Sequence, residues 1–61
     1  MDPILTEKDE ALIYEARHTS YTDWGRVLYL RDMADTEKAR SQLDRIASDL
    51  AHKEEIHAEL D

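Results

Sequence analysis

A single glycine, Gly25, and a single proline, Pro3, are the only strong backbone breakers in this chain of 61 residues. There is no Asn-Gly, Asp-Gly or similar pair, so the tight turns that join antiparallel strands lack their usual residues. Ala, Leu, Glu, Lys, Arg and Asp dominate the rest, and most of these lose little on entering a helix. No internal repeat or low-complexity segment interrupts the pattern. The expected fold is therefore all-α: a small bundle of two short helices and one long C-terminal helix, forming one domain over residues 1–61.

Boundaries follow from capping chemistry. Thr6 can cap a first helix over about 7–18, with Asp9 answering as a weaker capping-box partner than Glu. A start with Asp2 as cap and Pro3 at the first helical position is the alternative. Ser20-Tyr21-Thr22-Asp23 has the capping-box form and opens a second helix over about 21–34, leaving His18, Thr19 and Ser20 as the joint. Nothing interrupts a third helix over about 36–60, which at 1.5 Å per residue is ~36 Å long. Arg40/Asp44, Arg45/Asp49 and Asp49/Lys53 are spaced to form i,i+4 ion pairs along it, each worth about 0.2–0.5 kcal/mol.

Neither Gly nor Pro separates helices 2 and 3, so one continuous helix is the competing reading. Rotation by 100° per residue argues against it. Trp24, Val27, Leu28, Leu30 and Ala34 centre on one direction, whereas Ala39, Leu43, Ile46, Ala47 and Leu50 centre roughly 110° away. A straight helix cannot turn both sets to one partner, and a break at Ala34-Asp35-Thr36 resolves the mismatch.

A domain this small buries only about 60% of the surface of its unfolded chain. With no cysteine, it cannot add disulfides, and self-association is the usual remaining support. The helices carry more apolar surface than one monomer can cover. In helix 1, Leu5, Leu12 and Ala16 line one side, while Ile4, Ala11 and Tyr14 line nearly the opposite one. In helix 2, Tyr29 and Met33 lie opposite Trp24 and Leu28. Ala39, Leu43, Ile46 and Leu50 follow the 4-3-4 spacing of a coiled-coil seam, which degrades at Lys53, His57 and Leu60. A homodimer or higher oligomer is expected, with Leu12, Tyr14, Tyr29, Met33, Leu43, Ile46 and Leu50 at its interface.

Fifteen acidic residues face eight Lys and Arg, a formal net charge of −7. Nucleic-acid binding needs a basic face to displace counterions, and Lys38, Arg40 and Arg45 are diluted by Glu37 and Asp44. Direct nucleic-acid binding is therefore not expected. Most such acidity serves solubility, although it can also imitate a nucleic acid's charge in a basic partner's site. MDPILTEKDE has no basic region followed by an apolar run, and no apolar stretch approaches ~20 residues. The expectation is a cytoplasmic protein with no membrane association.

Catalytic patterns are weak. His52 and His57 stand at i,i+5 with Lys53 after the first, whereas zinc-protease helices need i,i+4 with Glu there. Glu54-x-x-His57 matches a ligand pair of carboxylate-bridged di-iron bundles, but no clear inward Glu on helices 1 or 2 completes the set. A metal-binding helical dimer is the second alternative to the main reading, and no metal or other cofactor is expected. Ser41-Gln42-Leu43-Asp44 resembles the Ser-Gln-Glu-Leu-Asp signature of small sporulation aspartyl-phosphate phosphatases. It is one residue short, so Ser and Asp leave the shared i,i+4 face and the resemblance is not carried over. There is no nucleophile elbow and no phosphate-cradling glycine loop. An enzyme is not expected.

Recognition remains. Tyr21, Trp24 and Leu28 form an i,i+3,i+7 row, the spacing of helix-in-groove anchors, flanked by Arg26 and Arg31, which could pair with an acidic partner. The same row would also serve as the core face of helix 2. Gly25 beside Trp24 could permit close helix approach. The functional expectation is a non-enzymatic regulator or inhibitor that binds another protein, with the acidic nucleic-acid mimic as alternative.

Overall fold

The computed structural model describes residues 5–60. Helix α1 spans Glu7–Arg17, α2 spans Trp24–Met33 and α3 spans Glu37–Leu60, with a 3-10 turn at Tyr21–Asp23 leading into α2. The described residues are all-helical, with no strand. The alternative start at Asp2 and Pro3, and the side of α1 assigned to Ile4, lie outside the described residues.

Thr6 caps α1 as its sequence suggests, its Oγ1 accepting from the Asp9 amide at 3.0 Å. The second start is less regular. The Ser20 hydroxyl accepts from the Thr22 amide at 3.3 Å, while the Asp23 amide donates to the Ser20 carbonyl at 2.9 Å. The Asp23 side chain makes no capping bond. The expected capping box is therefore open, and the entry tightens into a 3-10 turn, in which i→i+3 bonds replace i→i+4 bonds. Ala34 leaves the helix in extended conformation, so α2 and α3 are separate helices with the break where the two apolar directions diverge.

Contacts between elements fix the topology. Residues at the start of α1 meet the α2–α3 turn, and Arg26 near the start of α2 pairs with Glu15 near the end of α1. Arg31 late in α2 pairs with Asp44 early in α3. Consecutive helices are thus antiparallel, in an up-down arrangement. Leu12, Ile13 and Ala16 of α1, Val27 and Leu30 of α2 with Ala34 just after it, and Ala39, Leu43 and Ala47 of α3 form one core. Four of these nine are alanines, which let helix axes approach closely because little bulk stands between the backbones. Leu5, Leu28, Ile46 and Leu50 pack half-buried around this centre.

The one buried charged side chain among the described residues is Asp9, 0% exposed. Its Oδ1 accepts from the Asp35 amide and its Oδ2 from the Thr36 hydroxyl, both at 2.7 Å. The Thr36 hydroxyl in turn accepts from the Ala39 amide at 3.2 Å. A carboxylate from the first turn of α1 thereby secures the N-terminus of α3, where unsatisfied amides and the helix dipole favour negative charge. Burial works to raise the Asp9 pKa, but hydrogen bonds from Thr36, Asp35 and Thr6 outweigh it and hold the group below its ordinary 3.8.

The i,i+4 pairs expected along α3 do not form among the described residues. Asp44 turns instead to Arg31 on α2, at 2.6 Å, where one contact ties two helices rather than two turns of one. Arg40, Arg45, Asp49 and Lys53 have no ion-pair partner within 4.0 Å among the described residues.

Candidate partner-binding surface

The joint His18–Ser20 closes α1 before it opens the next element. The Thr19 hydroxyl donates to the Glu15 carbonyl at 2.8 Å, its amide donates to Ala16, and His18 Nδ1 lies 2.8 Å from the Tyr14 carbonyl. These bonds occupy carbonyls that a helix C-terminus leaves free. The chain then reverses, and Tyr21 and Trp24 follow within one turn.

Tyr21, Trp24 and Leu28 are all half-buried. Within α2 the buried direction belongs to Val27 and Leu30, and Leu28 packs against the edge of the core. Leu28 is thus a shoulder of the core rather than part of its centre, and Tyr21 and Trp24 beside it in sequence each keep an accessible edge. Tyr21 lies in the 3-10 turn, and its ring stacks on His57 of α3 with centroids 4.7 Å apart and planes 14° from parallel.

The two arginines flanking the row are already engaged within the chain. Arg26 Nη2 donates to Glu15 Oε1 at 2.9 Å, and that bond together with the Glu15 charge raises the guanidinium pKa above its ordinary value. Arg31 is held by Asp44. Neither stands free to meet an acidic partner, because antiparallel packing sets a carboxylate of the neighbouring helix opposite each.

The residues expected at an oligomer interface divide. Leu12 and Leu43 lie inside the monomer, 7% and 0% exposed, so in this fold they belong to the core. Ile46 and Leu50 are half-buried against that core. Tyr14, Tyr29 and Met33 face outward, with 67%, 64% and 38% of their surface accessible. Tyr14 carries the His18 ring at 4.2 Å between centroids, one helical turn along α1. Gly25 also differs from expectation: a Cβ there would meet nothing within 4 Å, so no helix approaches it closely.

Shallow depressions indent the surface of the described residues. An open one of about 680 Å³ lies between α2 and α3, with Arg31, Lys38 and Arg40 balanced by Asp32, Glu37 and Asp44 around Ser41. A smaller one of about 270 Å³ lies between α1 and α3, beside Leu5, Ile13, Tyr14 and Gln42. Glu54 is half-buried and His57 stacks on Tyr21. Among the described residues no three His, Cys, Asp or Glu side chains converge closely enough to hold a metal ion. Nor is any helix long and apolar enough to cross a membrane, among the described residues.

The residue that sequence reasoning understated is Asp9, which it treated only as a local capping partner. A signal was present: at 100° per residue Asp9 falls within the arc of Leu5, Leu12, Ile13 and Ala16, where a carboxylate needs donors. Compared with known protein families, curated proteins and solved structures, the chain matches none.

Proposed function

We propose that this chain is a non-enzymatic interaction protein, a regulator or inhibitor that binds a surface of another protein through the Tyr21–Trp24–Leu28 row. The observation that carries the reading is the placement of this row. Two aromatic rings and a leucine at i,i+3,i+7 stay half-accessible after the core has closed on Val27, Leu30 and Leu43. Tyr and Trp are the side chains that most often dominate binding energy at interfaces. The engaged Arg26 and Arg31 frame the row as fixed neighbours rather than as free cations. The most enclosed titratable group, Asp9, has its carboxylate oxygens committed to the α2–α3 turn, a structural task.

Self-association belongs to the same proposal. Tyr14, Tyr29 and Met33 are the surplus apolar surface, and a second copy of the chain covering them would enlarge a marginal core. Leu12 and Leu43 have no part in that contact. Sedimentation equilibrium over a wide concentration range tests it: a dimer that Tyr29→Asp dissociates supports it, and a monomer at every concentration removes it.

The charge of −7 favours one second reading, an acidic mimic that occupies the basic site of a nucleic-acid-binding protein. Salt separates the two. Immobilised chain is challenged with lysate of its source, alongside a Trp24→Ala variant checked for retained helicity. An apolar partner stays bound from low to moderate salt and is lost with Trp24→Ala. A charge-mimicked partner is released as ionic strength rises and is indifferent to Trp24→Ala. If no protein is retained specifically under either condition, both readings fail.

A further inference from the structure

We propose that the last two turns of α3 act as a strap, latched by the stack of His57 on Tyr21, and that fraying of the strap bares the Tyr21 ring, the first member of the aromatic row.

The strap exists because the helices differ in length. At 1.5 Å per residue, α3 is ~36 Å long, whereas α1 and α2 reach only ~16 and ~15 Å. The C-terminal turns of α3 therefore run past the body of the bundle. From His52 to Ala58 only Glu54 is half-buried, and the rest are exposed. Polar ties to the other elements end early: among the described residues, no side-chain hydrogen bond or ion pair joins α3 beyond Asp44 to another element. Ile46, Ala47 and Leu50 still pack on the core, and beyond them, among the described residues, the near-parallel stack of His57 on Tyr21 is the aromatic contact that holds α3. Helix ends with few buried contacts open at low free energy, independently of the core. Opening here takes the His57 ring off Tyr21, the first member of the row, without disturbing Leu43 or Ala47. The strap stands on the geometry alone; what it controls rests on the reading of the row as a partner surface.

The test compares the full chain with His57→Ser, because Ser and His have similar helix propensity and the change leaves α3 otherwise intact. Residue-resolved amide exchange is measured, together with the relaxation of Tyr21 ring protons by a soluble gadolinium chelate. In the variant, exchange at Ile56, His57 and Ala58 accelerates roughly two- to tenfold, the range a stacked pair can protect. Ring relaxation rises with it, and the amides of Ala39 and Leu43 are unchanged. Tyr21→Phe, which keeps a ring to stack on, retains the parent exchange rates. Unchanged exchange and relaxation in His57→Ser overturn the latch. Equal acceleration throughout the chain overturns it too, since the stack would then support the whole fold rather than a separate strap.

The partner reading fails separately. If the latch behaves as described and no Trp24-dependent partner is captured, the strap stands and the reading of the row falls. If a Trp24-dependent partner binds His57→Ser no more tightly than the parent chain, the strap does not gate the row.

Discussion

The two ends of the bundle are held by different physics. At the α2–α3 turn, Thr6, Lys8, Asp9, Asp35 and Thr36 form a polar cluster in which Asp9 is wholly enclosed and Lys8 reaches Asp35 at 3.5 Å. At the opposite end an exposed ion pair, Arg26 with Glu15, ties α1 to α2, while among the described residues the C-terminal turns of α3 meet the joint through an aromatic stack and no polar bond. Hydrogen bonds are directional and lose strength over a few tenths of an ångström, so the first end fixes how α1 and α3 align. Apolar contact is non-directional and tolerates sliding, so the second end can shift or open without misaligning the first. A 61-residue domain thus concentrates its directional contacts at one end and leaves half-accessible aromatic rings at the other.

The largest expected effect breaks the polar end. Asp9→Ala leaves the Asp35 amide and the Thr36 hydroxyl without their acceptor and should lower Tm by on the order of 10 °C in thermal unfolding followed by circular dichroism. Asp9→Asn keeps an acceptor but not the charge and should lose less. The pH dependence has a defined sign. The folded pKa of Asp9 lies below the ordinary 3.8, so its contribution is complete above that value and is lost as pH falls through the depressed one. The parent chain should therefore lose stability in acid along a limb that Asp9→Asn lacks. An identical acid profile for the two would show that Asp9 does not carry the alignment.

Gly25→Ala sharpens the other end. Gly25 is exposed in the first turn of α2 and a Cβ there meets nothing, so the variant should gain up to about 1 kcal/mol through helix propensity. A loss would mean that the joint needs glycine for a reason other than packing. Arg31→Ala removes a partly exposed ion pair and should cost about 0.2–1 kcal/mol, falling as salt rises. Smallest is Ile56→Ala on the strap. With Ile56 41% exposed, its change in denaturant midpoint should correspond to less than about 0.5 kcal/mol. A larger loss would place the strap inside the cooperative unit and erase the contrast between the ends.

Much of the fold was legible because capping residues stand at or just before the helix starts and almost nothing breaks the helices. Thr6 caps α1 and Ser20 the 3-10 turn that leads into α2, and the diverging apolar directions of helices 2 and 3 located the break at Ala34–Thr36. The candidate surface was less legible. Periodicity places Tyr21, Trp24 and Leu28 on a common row, but their half-burial depends on how far α2 rolls against α3, which no local pattern encodes. The fates of Arg26 and Arg31 depend on Glu15 and Asp44, 11 and 13 residues distant. Leu12 and Leu43 look equally suited to an oligomer seam and to a core until the third helix is in place. Asp9 was recognisable as a carboxylate within an apolar arc, but its donors lie 26 and 27 residues on.

The length of α3 also governs how the molecule moves through water. Its principal extents are 46 × 17 × 16 Å and its radius of gyration is 12.5 Å, against about 10.5 Å for a compact chain of this size. Such a rod tumbles anisotropically and drags like a larger sphere. A single copy will elute early from a sizing column calibrated with globular standards, at an apparent mass that invites assignment as a dimer. Sedimentation equilibrium, which reads mass without shape, is for that reason the appropriate measure of how many copies associate.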